Sequence, residues 1–382
     1  MTDVHRALLA RSNPEIVTLL REEIAAAGRI TFARFMELAL AHPEHGYYTA
    51  GDAAPGFGGD FLTAPETHAI FGTLLSRQLA ECWDRLGRPE PFVVREHGAG
   101  AGALALAVLA GLRDERPDAL AATRYELGDV NRERIAAGLA QAAGAGFSEH
   151  VATAGDEPIT GVVVANELLD ALPVHRLVVE DGELREAFVI WRDGWFAEEI
   201  GPLSDARLAE PVAGLPLVEG QRLEVSQAAR EWTSRACREI GRGYAILIDY
   251  GYEAAELYDP GERPEGLLRT YWEHIVGDDP FDRVGRQDIT AHVDFSAVAR
   301  SAEAAGCDVL GLTTQAAFVA GLGVDDLLMR LQQGGDAVEY VRARETVMHL
   351  LDPRGLGRFR VLVLGRGVER GAALRGLSFR WP

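Results

Sequence analysis

The sequence predicts a doubly wound, Rossmann-like α/β fold around an open, mostly parallel sheet of seven strands, with a helical N-terminal part. Three observations carry that reading. β-prone runs alternate with helical runs along most of the chain, a glycine-rich turn joins the first strand to its helix, and polar residues gather just after the strand ends. Strands are expected at Phe92–Glu96, Arg124–Val130, His150–Ala154, Gly161–Asn166, Tyr244–Tyr250, Val309–Thr314 and Phe359–Gly365. Helical stretches at 102–113, 131–143, 226–240 and 294–305 separate them and supply the crossovers that make such a sheet parallel.

Residues 1–90 read as mainly helical, with apolar stripes at Ile16, Leu19, Leu20 and Ile24 and at Phe32, Phe35, Leu38 and Ala39. Between them and a helix from about Pro65 to Leu86, the stretch Gly51–Glu66 is rich in glycine and aromatics, a composition expected of a lid over a binding site. The domain at 91–382 is expected to carry insertions at about 174–225 and 253–287 and a helical segment at 315–348. In the first insertion, Asp181-Gly182 between β-prone runs predicts a hairpin, whereas Glu253–Gln287 reads as an added loop.

Composition narrows the function. Of 382 residues, 47% are apolar and 25% charged, enough for a large core, and 38 basic against 58 acidic residues give 38 − 58 = −20, which argues against a binder of phosphate backbones. The N-terminus lacks the order of a signal peptide and no apolar run is long enough to span a bilayer, so the chain is expected to stay in the cytosol, off membranes. Cys82, Cys237 and Cys307 are far apart and read as core residues; His42 and His45 form an H-x-x-H with no third ligand in view, and no metal is expected.

The chemistry starts at Val93–Leu104. Gly98, Gly100 and Ala103 satisfy the dinucleotide pattern G-x-G-x-x-[G/A], so the loop alone allows NAD or FAD. Gly102 tightens it to G-x-G-x-G, and Glu96 sets a carboxylate at the strand end, which would repel a pyrophosphate and attract the cationic S-adenosylmethionine. Asp129, after the second strand, can accept hydrogen bonds from both ribose hydroxyls of an adenosine, or can cap the next helix. The run Asn166-Glu-Leu-Leu-Asp delivers an amide and two acids straight from a buried strand, and Asp249 ends the fifth. An oxidoreductase, and an assembly chaperone with a degenerate cofactor site, remain the rival classes at this point.

Taken together, Gly59-Asp-Phe-Leu-Thr-Ala-Pro-Glu, the glycine loop at 96–104, Asn166-Glu-Leu-Leu-Asp-Ala-Leu-Pro-Val, Ile248-Asp-Tyr-Gly-Tyr, Asp288-Ile-Thr-Ala-His-Val-Asp-Phe and Thr314-Gln resemble the MidA-like family over residues 15–365. The resemblance implies a class I methyltransferase sheet with a substrate-side insertion, S-adenosyl-L-methionine as cofactor, and a protein arginine or other nitrogen or oxygen nucleophile as acceptor. Tailoring of a specialised metabolite is the alternative, and a homodimer is left open. The cofactor is then expected on Thr63, Pro65, Glu96, Gly98, Gly100, Gly102, Asp129, Asn131 and Asn166. The acceptor is expected near Asp60, Glu66, Asp249, His274 and His292, with Glu167 and Asp170 as the catalytic acids, spaced to share one side of a helical turn. Where the family loop runs Gly-Pro-Gly-Arg-Gly-Thr, this chain has Ala99, Ala101 and Ala103, so any contact of that arginine is missing.

Overall fold

A computed structural model describes residues 3–50, 69–369 and 371–379, which form two compact units, each assembled from several chain segments. One unit, here the seven-strand unit, comprises described residues 69–168, 233–250 and 299–379; the second comprises 3–50, 169–232 and 251–298.

The seven-strand unit holds β1 (Phe92–His97), β2 (Thr123–Gly128), β3 (Val151–Thr153), β4 (Ile159–Asn166), β5 (Ile240–Asp249), β6 (Asp308–Thr314) and β7 (Arg360–Arg366). Their order across the sheet is 3-2-1-4-5-7-6, with β7 antiparallel to both of its neighbours and the other pairings parallel. All seven strands expected from sequence are present. Val162, Val163, Val164, Ile246, Leu247 and Ile248 are almost completely buried, as central strands covered on both faces require. Register aligns Glu96 with Leu127 and Val164, and Asn166 with Ile248, so the carboxyl ends of β1, β2, β4 and β5 finish at one edge.

On the sheet lie α1 (Ile70–Arg85) and α2 (Ala103–Glu115), whose Leu74, Leu75, Leu104 and Val108 share a core with Val94, Tyr125 and Val164. Small residues bring these helices close. A Cβ on Gly72 would lie 2.3 Å from the Cβ of Ala107, and one on Gly111 would lie 2.6 Å from Ser76 Oγ.

The second unit contains a five-stranded sheet in which Glu183–Arg192 pairs with Ile30–Thr31, His175–Glu180 and Trp195–Gly201, and His175–Glu180 pairs also with Arg222–Val225. The Asp181-Gly182 hairpin is present, with positive φ at both turn residues (54° and 73°). The loop expected at Glu253–Gln287 is corrected: it contains a short helix, Ala254–Leu257, and a hairpin of Arg269–Trp272 with Ile275–Gly277 that Asp288–Thr290 extends to three strands. The turn of that hairpin, Glu273-His274, takes positive φ without glycine or asparagine, so no turn signature marks it in the sequence. Phe32, Phe35, Met36, Trp195, Phe196 and Ile289 share this unit's core.

The Gly72 contact yields a test. Gly72→Ala forces a methyl into the backbone and Cβ of Ala107, so the protein should lose roughly 1–3 kcal/mol of stability despite alanine's better helix propensity. Urea unfolding measures this, and an unchanged or raised midpoint would refute the close packing.

Candidate active site

Between β1 and α2 the backbone turns through three left-handed residues, Gly98 (φ 73°), Gly100 (φ 53°) and Gly102 (φ 79°). A side chain at each would cost about 1–2 kcal/mol, which is why glycines alternate here. Asp129 clamps the turn: its Oδ2 accepts the Gly100 N–H at 2.9 Å and its Oδ1 accepts the Asn131 N–H at 2.8 Å. The helix-capping role that Asp129 could have filled falls to Asn131, whose Oδ1 accepts the N–H groups of Glu133 and Arg134. Val130 beside it is 65% exposed, an apolar surface at the edge of the site.

Glu96 points from the last turn of β1 into the buried face. Tyr125 OH donates to its Oε2 at 2.8 Å, and burial, with a smaller contribution from the Asp129 charge, pushes its carboxyl up to about 8 against the stabilising tyrosine bond. Asn166 ends β4 with its Nδ2 donating to Glu167 Oε1 at 3.1 Å, while its Oδ1 is buried without a hydrogen-bond donor. Asp249 is buried at the end of β5, its Oδ1 accepting the Tyr250 N–H and its Oδ2 the Leu168 N–H at 3.2 Å, and Leu168 packs against Gly98. Glu96, the three glycines, Asp129, Asn131, Asn166, Glu167 and Asp249 thus belong to one unit, at the carboxyl edge of its sheet.

The helical turn expected to align Glu167 with Asp170 is absent. Glu167 has φ 53°, its N–H bonds to Ile248 O, and the chain leaves the seven-strand unit after Leu168. Asp170 belongs to the second unit, where its carbonyl accepts the Ala291 N–H and its carboxylate lies within electrostatic reach of Tyr48 OH. Tyr48, half-buried, donates to Asp288 Oδ1 at 2.6 Å, and burial of its hydroxyl end together with the charges of Asp288 and Asp170 holds its phenol well above the usual value. Sequence reasoning gave neither Tyr48 nor Asp288 a role at the site, although Asp288 heads one of the motifs that carry the family resemblance. His292 stacks on Tyr252 with ring centroids 5.6 Å apart, whereas His274 occupies the exposed turn of the Arg269–Gly277 hairpin. Asp60, Thr63, Pro65 and Glu66, with the expected lid, lie outside the described residues.

A carboxylate, an amide oxygen and a left-handed glycine turn at one sheet edge suit an amino-bearing nucleoside better than a pyrophosphate. Residues 74–313 match the model of the family described as "Putative S-adenosyl-L-methionine-dependent methyltransferase". The chain belongs to this family. It is 30% identical to the Drosophila melanogaster homologue of protein arginine methyltransferase NDUFAF7, mitochondrial, across 91% of this chain and 84% of that one. The human NDUFAF7 is 26% identical across 90% and 82%. A crystal structure from Burkholderia thailandensis, described as a "likely methyl transferase" bound to S-adenosyl-homocysteine, superposes with a TM-score of 0.88 at 34% identity, covering 97% of this chain and 96% of that one. The MidA-like resemblance, the class I sheet, the enzyme class and S-adenosyl-L-methionine as cofactor are thereby established, and the oxidoreductase reading falls. The cytosolic expectation is corrected as well, because these curated relatives are named as mitochondrial.

Glu96 has a measurable signature. Its folded pKa of about 8 exceeds the ordinary 4.5, so the folded state binds more protons between those values and stability contributed by this group falls as pH rises from about 5 to 8. Glu96→Gln should therefore gain thermal stability relative to the parent across that window; melting curves that stay parallel from pH 5 to 8 would refute the desolvated carboxyl.

Proposed function

We propose that this methyltransferase acts on a guanidinium nitrogen of an arginine in a protein acceptor, with the cofactor on the carboxyl edge of the seven-strand sheet. The observation that carries the acceptor half is the pair of buried acids Asp170 and Asp288, with the half-buried Tyr48 bonded to Asp288, in the second unit. A guanidinium is protonated and delocalised, with a pKa above 12, so a nitrogen lone pair becomes available only when carboxylates localise the charge and take a proton. Asp170 is the candidate base and Asp288, anchored by Tyr48, its partner. The names of the relatives, protein arginine methyltransferases, support the same acceptor.

The cofactor supplies a methyl group on a sulfonium, already an excellent leaving group, so the protein's task is to bind, orient and exclude water. In this reading Glu96 faces the cofactor's ammonium, whose charge would offset the cost of the buried carboxylate. Asn166 Oδ1 accepts from the same end, with Glu167 fixing the amide's orientation. Asp129 keeps lone pairs for the ribose while holding the loop, and Val130 offers an apolar face to the base.

Two measurements test this. Asp129→Ala removes both the loop clamp and the ribose acceptor, and calorimetry should find S-adenosylhomocysteine bound about tenfold or more weakly, from a loss of roughly 1.5–3 kcal/mol; unchanged affinity would sink the placement. For Asp170→Asn and Asp288→Asn, mass spectrometry of arginine-containing acceptor proteins should show methylation slowed by about a hundredfold while cofactor affinity holds. Parent-like turnover in both variants would remove the acid pair from the mechanism.

A further inference from the structure

We propose that Tyr125 is a positioning residue for the cofactor: its hydroxyl turns Glu96 toward the cofactor's ammonium and eases the loss of the Glu96 proton, which binding expels to solvent. The inference rests on the reading above in which Glu96 faces that ammonium, and adds to it the residue behind Glu96 and the fate of its proton.

Side chains alternate along a strand, so Glu96 leaves β1 on the face opposite Arg95 and His97. Those two are engaged on the other face, where Arg95 pairs with Glu126 and Glu239, and His97 meets Glu239 at 2.9 Å. The face of Glu96 is mostly apolar, carrying Val94, Leu127 and Val164 from the strands and Leu74, Leu104 and Val108 from the helices. Tyr125 is the exception. The register sets it beside Val94, one diagonal step back along β2, and its hydroxyl donates to Glu96 Oε2 at 2.8 Å. Tyr125 is fully buried, and burial with the adjoining carboxylate holds its phenol well above the usual value, so it remains a donor. Glu96 Oε1 accepts no hydrogen bond from the described residues and is not sealed from solvent. One oxygen is held, and the other is left for a guest.

The surroundings of Glu96 decide its proton. Among the described residues Asp129 is the charged group that bears on it, and its charge has like sign. Burial and that charge favour the protonated carboxyl up to about 8, and the tyrosine bond alone opposes them. Near neutral pH the free protein therefore carries a proton on Glu96 that must leave before an ion pair with an ammonium can form. Cofactor binding then strengthens as pH rises toward about 8 and levels beyond it. Without the tyrosine donor the proton is held more tightly, so the same rise moves to higher pH. Tyr125→Phe isolates this effect, since it keeps the ring and removes only the hydroxyl.

The test is calorimetric titration of the full chain with S-adenosylhomocysteine, which carries the same ammonium, at several values between about pH 6 and 8.5. In phosphate and in Tris at about pH 7, the difference in binding heat should report about one proton released per cofactor bound. Tyr125→Phe should bind about tenfold or more weakly at neutral pH, with the gap narrowing toward the alkaline end, and Glu96→Gln should release no proton and bind with a flat pH profile. A merely structural tyrosine predicts another pattern: an equal loss at every pH. That outcome, or no loss at all, overturns the positioning role, and leaves the Glu96 reading standing if Glu96→Gln is still flat. Should Tyr125→Phe fail to fold, the parent decides, and a binding heat that does not depend on the buffer overturns the proposal. Parent-like affinity and pH dependence in Glu96→Gln would refute the reading that Glu96 meets the ammonium, and the role of Tyr125 with it.

Discussion

The cofactor edge depends on one carboxylate. Asp129 accepts an N–H from the glycine turn after β1 and another from the residue that caps the helix after β2, so two adjacent loops are fixed by a single side chain. Three left-handed glycines alternating with alanines would otherwise be a loosely constrained backbone, with large conformational entropy to lose on binding. Asp249 repeats the device one strand pair away, accepting from Tyr250 and from Leu168, and Leu168 in turn packs on Gly98. The loops after β1, β2, β4 and β5 are in this way shaped before any ligand arrives, which lowers the ordering cost of binding.

Against these tied carboxylates stand others whose burial is not offset by a hydrogen-bonded cation. Glu96 receives a tyrosine hydroxyl, and Glu224 a single backbone N–H. In a protein of net charge −20, most acids are solvated; these are withdrawn from water where no arginine completes them. At both, burial raises the proton affinity of the carboxyl, so the ionised form is the costly one unless a positive charge comes close.

How much of this is legible in sequence follows from the range of the interactions. The seven strands, the glycine turn, Asp129 and the Asp181-Gly182 hairpin are local: each is written in periodicity or in residues that tolerate positive φ. Tyr48 and Asp288 are paired across 240 positions, with Tyr48 in a stretch that reads as loop, so no spacing rule reaches them. Glu167 and Asp170 mislead for the opposite reason: an i, i+3 spacing suggests a shared helical face, but a non-glycine residue at φ 53° breaks the helix invisibly. That Glu224 Oε1 accepts no hydrogen bond is likewise a tertiary fact, set by where Leu267 N–H and Gly266 close around its strand.

The position of β7 bears on how the chain is made. It is the last strand of the seven, yet it lies between β5 and β6, so a ribosome must deliver nearly the entire chain before either neighbour acquires its partner. Until Arg360–Arg366 emerges, the nascent protein presents β5, one of its most apolar strands, as an open edge with unpaired N–H and C=O groups, and leaves β6 with no sheet to join. Premature termination between Asp249 and this segment therefore yields not a smaller enzyme but a chain with an adhesive flank, and the interval of vulnerability is set by translation speed and by chaperones able to shield that edge.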